Sequence, residues 1–66
     1  MDWAKSIIEL REKLLITQTE LAKIVGVSYA SINRYENKKY EPTMKVKRKL
    51  MVLLKENGIV EDKYGR

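Results

Sequence analysis

The sequence predicts an all-α fold on three observations. Apolar residues recur three and four positions apart in successive stretches of the chain. A residue of helix-capping type precedes each stretch: Asp2, Thr17, Ser28 and Thr43. Glycines at 26 and 58 fall where the second and last stretches run out, and a glycine can adopt the positive φ that ends a helix.

The first helix starts after Asp2. Trp3, Ile7, Leu10 and Leu14 fall on one face at heptad-like spacing, with Ala4 and Ile8 alongside. Trp3 reads as a core anchor, since tryptophan more often serves packing than ligand binding.

The second helix begins at Gln18. Thr17 and Glu20 form an S/T-x-x-E capping box, and Ile16 and Leu21 occupy the two positions of a hydrophobic staple. Its buried stripe is expected to be Leu21, Ala22, Ile24 and Val25, with Ala22 small enough to let a neighbouring helix approach. Gly26 ends it.

Ser28 caps the third helix, Tyr29 to about Glu36, and Val27 with Ile32 repeats the staple spacing. Ile32 and Tyr35, three apart, point inward together. The opposite face then carries Ala30, Asn33, Arg34 and Asn37, with Tyr29 on its flank. Two helices joined by three or four residues including a glycine make a helix-turn-helix, here with its core over residues 18 to 36. A plain solvated face would more often be Glu and Lys. A methyl, two amides, a guanidinium and a phenol are instead the groups that read base edges: Asn with adenine, Arg with guanine, methyl groups with thymine. Each alone is equally an ordinary polar surface residue; their coincidence with the caps and the turn favours DNA.

Pro42 closes the following loop, and Thr43 caps a last helix to about Asn57, ended by Gly58. Thr43, Val46, Leu50, Leu53 and Leu54 are expected to form its buried stripe, with Met44 and Met51 to one side and Val52 on the far side. Residues 59 to 66, IVEDKYGR, are too few and too charged for more than a short turn, from which Ile59 and Val60 could fold back.

With Leu10-Arg11, TQTELA at 17–22, GVS at 26–28, INRYENKK at 32–39 and Pro42, the chain resembles the helix-turn-helix domain of phage repressor and Cro proteins and the related XRE-type bacterial regulators. The resemblance covers about half of the chain, and it implies a compact bundle of four or five helices whose second and third form the DNA-binding unit. It places Tyr29, Ala30, Asn33 and Arg34 at base-facing positions. It places Gln18 on a phosphate, where it would also orient contacts of the recognition helix. Thr17 and Ser28 would reach the sugar-phosphate backbone, with Ser31 and Asn37 assigned beside them, and Lys38 and Lys39 would run along it. Arg11 and Glu36 match a structural ion pair tying the first helix to the end of the recognition helix, so neither is assigned to DNA. The chain departs from the family pattern at Leu15 and Lys38, where glycine is usual. Asn37 is the expected left-handed residue at the second place, because Asn tolerates positive φ; Leu15 has no such substitute.

Sixty-six residues make a single domain over 1–66 with a small core. Without Cys or His there is neither a disulfide framework nor a Cys/His zinc site, as in a reducing cytoplasm. No apolar run spans a membrane, and the acidic, amphipathic start is not a signal peptide. The charge is uneven. Residues 1–37 balance five basic against five acidic groups, whereas residues 38–49 carry Lys38, Lys39, Lys45, Lys47, Arg48 and Lys49 against Glu41 alone. Such a segment supplies sequence-independent phosphate attraction beside a nearly neutral helix. Catalysis finds no support: no His, no Cys, no phosphate-binding Gly-rich loop, no base beside Ser28 or Ser31.

These features predict a cytoplasmic, non-enzymatic, sequence-specific double-stranded DNA-binding protein without cofactor. It would be a small bacterial or phage transcriptional regulator, acting as a weak homodimer through Met44, Met51, Val52 or the Ile59 and Val60 tail. A second reading keeps the fold but makes the exposed helix an antitoxin-like or adaptor surface for a protein partner, with DNA binding secondary; a large uncovered apolar patch would favour it.

Overall fold

Each helix begins at a side-chain cap. In the computed structural model, which describes residues 2–59, the caps are Asp2 for α1 (Trp3–Leu14), Thr17 for α2 (Gln18–Val25), Ser28 for α3 (Tyr29–Glu36) and Thr43 for α4 (Met44–Glu56). Each cap side chain accepts a backbone N–H from the first turn, satisfying a donor with no intrahelical partner. The capping box of α2 is reciprocal: Glu20 N donates to Thr17 Oγ1 at 3.1 Å and Thr17 N donates to Glu20 Oε1 at 2.8 Å. The turn expected over 59–66 lies, beyond Ile59, outside the described residues.

The C-terminal ends share a device. Each helix is followed by one residue of positive φ: Leu15 (56°), Gly26 (84°), Lys38 (60°) and Gly58 (69°). At each of them the amide that follows the positive-φ residue reaches back five residues across the last turn, Ile16 N to Arg11 O, Val27 N to Ala22 O, Lys39 N to Arg34 O and Ile59 N to Leu54 O, which is the Schellman closure. The left-handed position after α3 is therefore taken by Lys38, not by Asn37, whose φ is −93°. Asn37 stays in the right-handed region because its side chain turns back along the helix, Nδ2 donating to Asn33 O at 2.8 Å. Leu15 adopts the glycine-like conformation itself, although L residues disfavour it by about 1 to 2 kcal/mol.

α2 and α3 have eight residues each, too short to persist alone, so burial of one face must hold them. α3 packs against α1 and α2, and α4 packs against α1 and α2. Ile7, Leu10, Leu21, Ala22, Val25, Ile32, Tyr35, Val46, Leu50 and Leu54 form one core, edged by Trp3, Leu14, Ile16, Val27, Leu53 and Ile59. A fully buried aliphatic side chain contributes about 2 kcal/mol, so two such residues outweigh the fraying of a two-turn helix.

Two expected stripe residues fall outside this core. Ile24 is 52% exposed: at 100° per residue it points about 105° away from the mean direction of Leu21, Ala22 and Val25, on the rim of the helix. Thr43 is exposed because it precedes the helix and turns its hydroxyl onto Val46 N. Leu53 lies at the core edge, half-buried. Pro42, by contrast, is buried and anchors the loop between α3 and α4. Among the described residues no helix is long and apolar enough to cross a membrane.

Candidate nucleic-acid interface

The core fixes how α3 is presented. With Ile32 and Tyr35 turned inward, Tyr29, Ala30 and Arg34 are exposed and Ser31 and Asn33 half-exposed on the outer side. The approach to this helix is equally determined. Gly26, at positive φ, donates its N–H to Ala22 O at 2.8 Å, and Val27 N donates to the same carbonyl at 2.9 Å. The chain thus leaves α2 sharply enough for Ser28 to start α3 two residues later. Ser28 Oγ accepts from Ser31 N at 3.1 Å and lies 3.0 Å from Ser31 Oγ, so both hydroxyls are paired at the N-terminus of α3.

The far end of α3 is held by charge. Arg11 Nε donates to Glu36 Oε2 at 2.6 Å and Arg11 Nη2 to Glu36 Oε1 at 2.9 Å, a two-pronged pair in which the Glu36 side chain is only 8% exposed. The same carboxylate raises the Arg11 pKa above its already high value by accepting these bonds, and burial opposes it more weakly. Gln18 joins this pair: its Nε2 donates to Glu36 Oε1 at 2.9 Å, while its Oε1 accepts from Asn33 Nδ2 at 3.4 Å. Asn37 Nδ2 in turn donates to Asn33 Oδ1 at 3.3 Å. A polar chain from α1 through the start of α2 thus reaches the middle of the outer face of α3. No buried side-chain nitrogen or oxygen among the described residues lacks a partner.

Thr17 sits exposed at the start of α2. Beyond α3, Lys38, Lys39 and Tyr40 are all exposed. Lys38 Nζ lies 3.7 Å from Asp2 Oδ2, a solvent-screened pair worth little. Asn33, Arg34, Asn37, Lys39 and Tyr40 line one open depression at the C-terminal end of the outer face. Within it the Arg34 guanidinium lies over the Tyr40 ring, 5.5 Å from the centroid. Tyr40 was not singled out from the sequence; an aromatic directly after two lysines, between the third helix and Pro42, was the available signal.

The basic residues of α4 divide into engaged and outward groups. Lys49 Nζ donates to Val25 O at 3.1 Å, placing a cation on the carbonyl end of α2 beside Gly26. Lys47 pairs with Glu41 and also lies 5.7 Å from the Trp3 ring centroid, which explains its half-buried position. Its hydrogen bond holds the Glu41 carboxylate below its usual range. Lys45 and Arg48 are exposed. No group of three or more His, Cys, Asp or Glu among the described residues could hold a metal ion.

This geometry is two short helices joined by a tight turn, the second presented outward and locked from behind. A family model for the helix-turn-helix matches residues 7–57, most of the chain. The chain belongs to the helix-turn-helix family, of the XRE and Cro-like kind. That family is one of DNA-binding domains of transcription-regulator type, typically non-enzymatic. No curated protein and no solved structure matched the chain.

Proposed function

We propose that α3 enters the major groove of double-stranded DNA and reads base edges, as part of a small cytoplasmic transcriptional regulator of bacterial or phage type. The observation carrying this reading is the composition of the outer face. Tyr29, Ala30, Asn33 and Arg34 bring hydrogen-bonding and methyl groups with a single charge, flanked by Lys38 and Lys39. Thr17, Gln18, Ser28, Ser31, Asn37, Lys38 and Lys39 are the proposed backbone contacts, surrounding that face with donors. The exposed apolar side chains Leu15, Ile24, Met44 and Val52 are spread over the end of α1, α2 and two positions of α4 eight residues apart, which gives a protein partner less to bind than the polar face gives DNA.

Asn33 provides the test. It carries no charge, so it adds nothing to counterion release, and its amide is already oriented by Gln18 and Asn37. Asn33→Ala should cost about 1 to 3 kcal/mol on the preferred sequence and relax preference at one base pair per half-site, with non-specific affinity unchanged. Binding of both proteins to every single-base variant of a site selected from random DNA measures this; equal weakening on all sequences would reduce Asn33 to a backbone contact. One such helix covers half a site, so two copies should bind with centres about 34 Å apart. Sedimentation of the same complexes, showing one copy on the best site, would remove the dimer.

A further inference from the structure

We infer that Tyr40 is a specificity-positioning residue: its ring is a platform that fixes the plane of the Arg34 guanidinium for a bidentate contact. The inference rests on the reading of α3 as a base-reading helix and goes beyond it, since Tyr40 lies outside that helix and its own polar group is not the one invoked.

An arginine on an exposed helix face has many rotamers, and its free guanidinium takes a phosphate as readily as a base. Stacking changes this selectively. A guanidinium held over a ring, as the Arg34 carbon is at 5.5 Å from the Tyr40 centroid, keeps the N–H donors at its edges available for the forked pair that matches guanine O6 and N7. The Tyr40 ring can serve as such a platform only if its own backbone is fixed, and it is fixed on both sides. Upstream, Lys39 N donates to Arg34 O at 2.9 Å and Lys38 N to Tyr35 O at 3.2 Å, closing the chain onto the end of α3. Downstream, Pro42 is buried, and Glu41 between them is paired with Lys47 of α4. Tyr40 itself is 63% exposed, so the fold gains little from its burial. What holds its ring in place serves the arginine rather than the core.

The test compares Tyr40→Ala with Tyr40→Phe. In the free protein, side-chain proton shifts of Arg34 should show the upfield displacement of a proton over an aromatic face, kept in Tyr40→Phe and lost in Tyr40→Ala. On DNA, Tyr40→Ala should lose about 2- to 5-fold in affinity for the preferred site. The discrimination at the base pair read by Arg34 should fall with it, and non-specific binding, the salt slope and the melting temperature should stay as in the wild type. Tyr40→Phe should match the wild type on every variant, and Tyr40→Ala should add nothing at that base pair in an Arg34→Ala background. If Tyr40→Phe loses as much as Tyr40→Ala, the hydroxyl is a direct contact and the platform is overturned. If Tyr40→Ala keeps full discrimination while the wild type shows base preference, the platform alone fails. If the wild type shows no base preference at all, the reading of α3 fails with it.

Discussion

Glu36 closes α3 by giving both carboxylate oxygens to Arg11, which stands 25 residues earlier on α1. Either partner alone would be left largely buried without its counter-charge, and hydrogen bonds to charged groups are worth about 1.5 to 3 kcal/mol each. Arg11→Met or Glu36→Leu should therefore destabilise the fold by about 2 to 3 kcal/mol. The double variant should recover much of that loss, because matched apolar groups leave no orphan charge. Urea midpoints of the four proteins measure it; additive losses would show that the two residues act independently.

Leu15 and Lys38 hold left-handed backbone that glycine adopts without cost. Leu15 is 90% exposed, so Leu15→Gly forfeits no burial and relieves about 1 to 2 kcal/mol of strain against about 0.5 to 1 of added chain entropy in the unfolded state. Leu15→Gly and Lys38→Gly should each raise the melting temperature by a few degrees. Gly26→Ala should lower it, since the new Cβ would lie 3.2 Å from Lys49 Nζ as well as at φ 84°.

Lys38 and Lys39 are exposed just past α3, where phosphates should run. Each neutralised phosphate contributes about −0.9 to the slope of log K against log salt. Lys38→Gly with Lys39→Ala should make that slope shallower by roughly 1 to 2 per copy while base preference persists. An unchanged slope would take the loop out of the interface.

Acid should loosen the same loop. The Lys47 hydrogen bond lowers the Glu41 pKa from its ordinary 4.5, and the Lys5 N–H bond lowers that of Asp2 from 3.8. A depressed folded pKa gives stability that is present above the unfolded value and lost as pH falls through the folded one. Stability should thus decline below about pH 4.5, and the gap between wild type and Glu41→Gln, present at pH 7, should close as pH falls through the lowered Glu41 pKa. A gap independent of pH would mean that the carboxylate charge is not what Lys47 holds.

The helix starts were legible in the sequence because capping is local chemistry: Asp2, Thr17, Ser28 and Thr43 each bond an amide three residues on. The exposure of Tyr29, Ala30 and Arg34 against the burial of Ile32 and Tyr35 followed from helical period alone. Two helix ends were legible in Gly26 and Gly58, and the other two were not. Non-glycine residues take the left-handed turns at Leu15 and Lys38 because packing on either side imposes them, and no local propensity announces that. The burial of Ile24 was overestimated because an eight-residue helix has too few apolar positions to fix the width of its stripe. Lys49 on Val25 O and Arg34 over Tyr40 depend on where a later helix and a loop pass, which spacing cannot supply.

The division of labour along α3 has a consequence for how such a protein can change. Ile32, Tyr35 and Glu36 attach the helix to the body, while Tyr29, Ala30 and Arg34 are exposed and form no part of the core. Substitutions at those three outward sites are nearly invisible to folding. The scaffold therefore tolerates drift there that a buried position would punish, and new preferences can be sampled one residue at a time without passing through an unfolded ancestor. Asn33 is less free, because the Gln18 amide couples it to the Arg11 and Glu36 pair. Its replacement asks for a compensating change at position 18, so the two positions should vary together where the others vary alone.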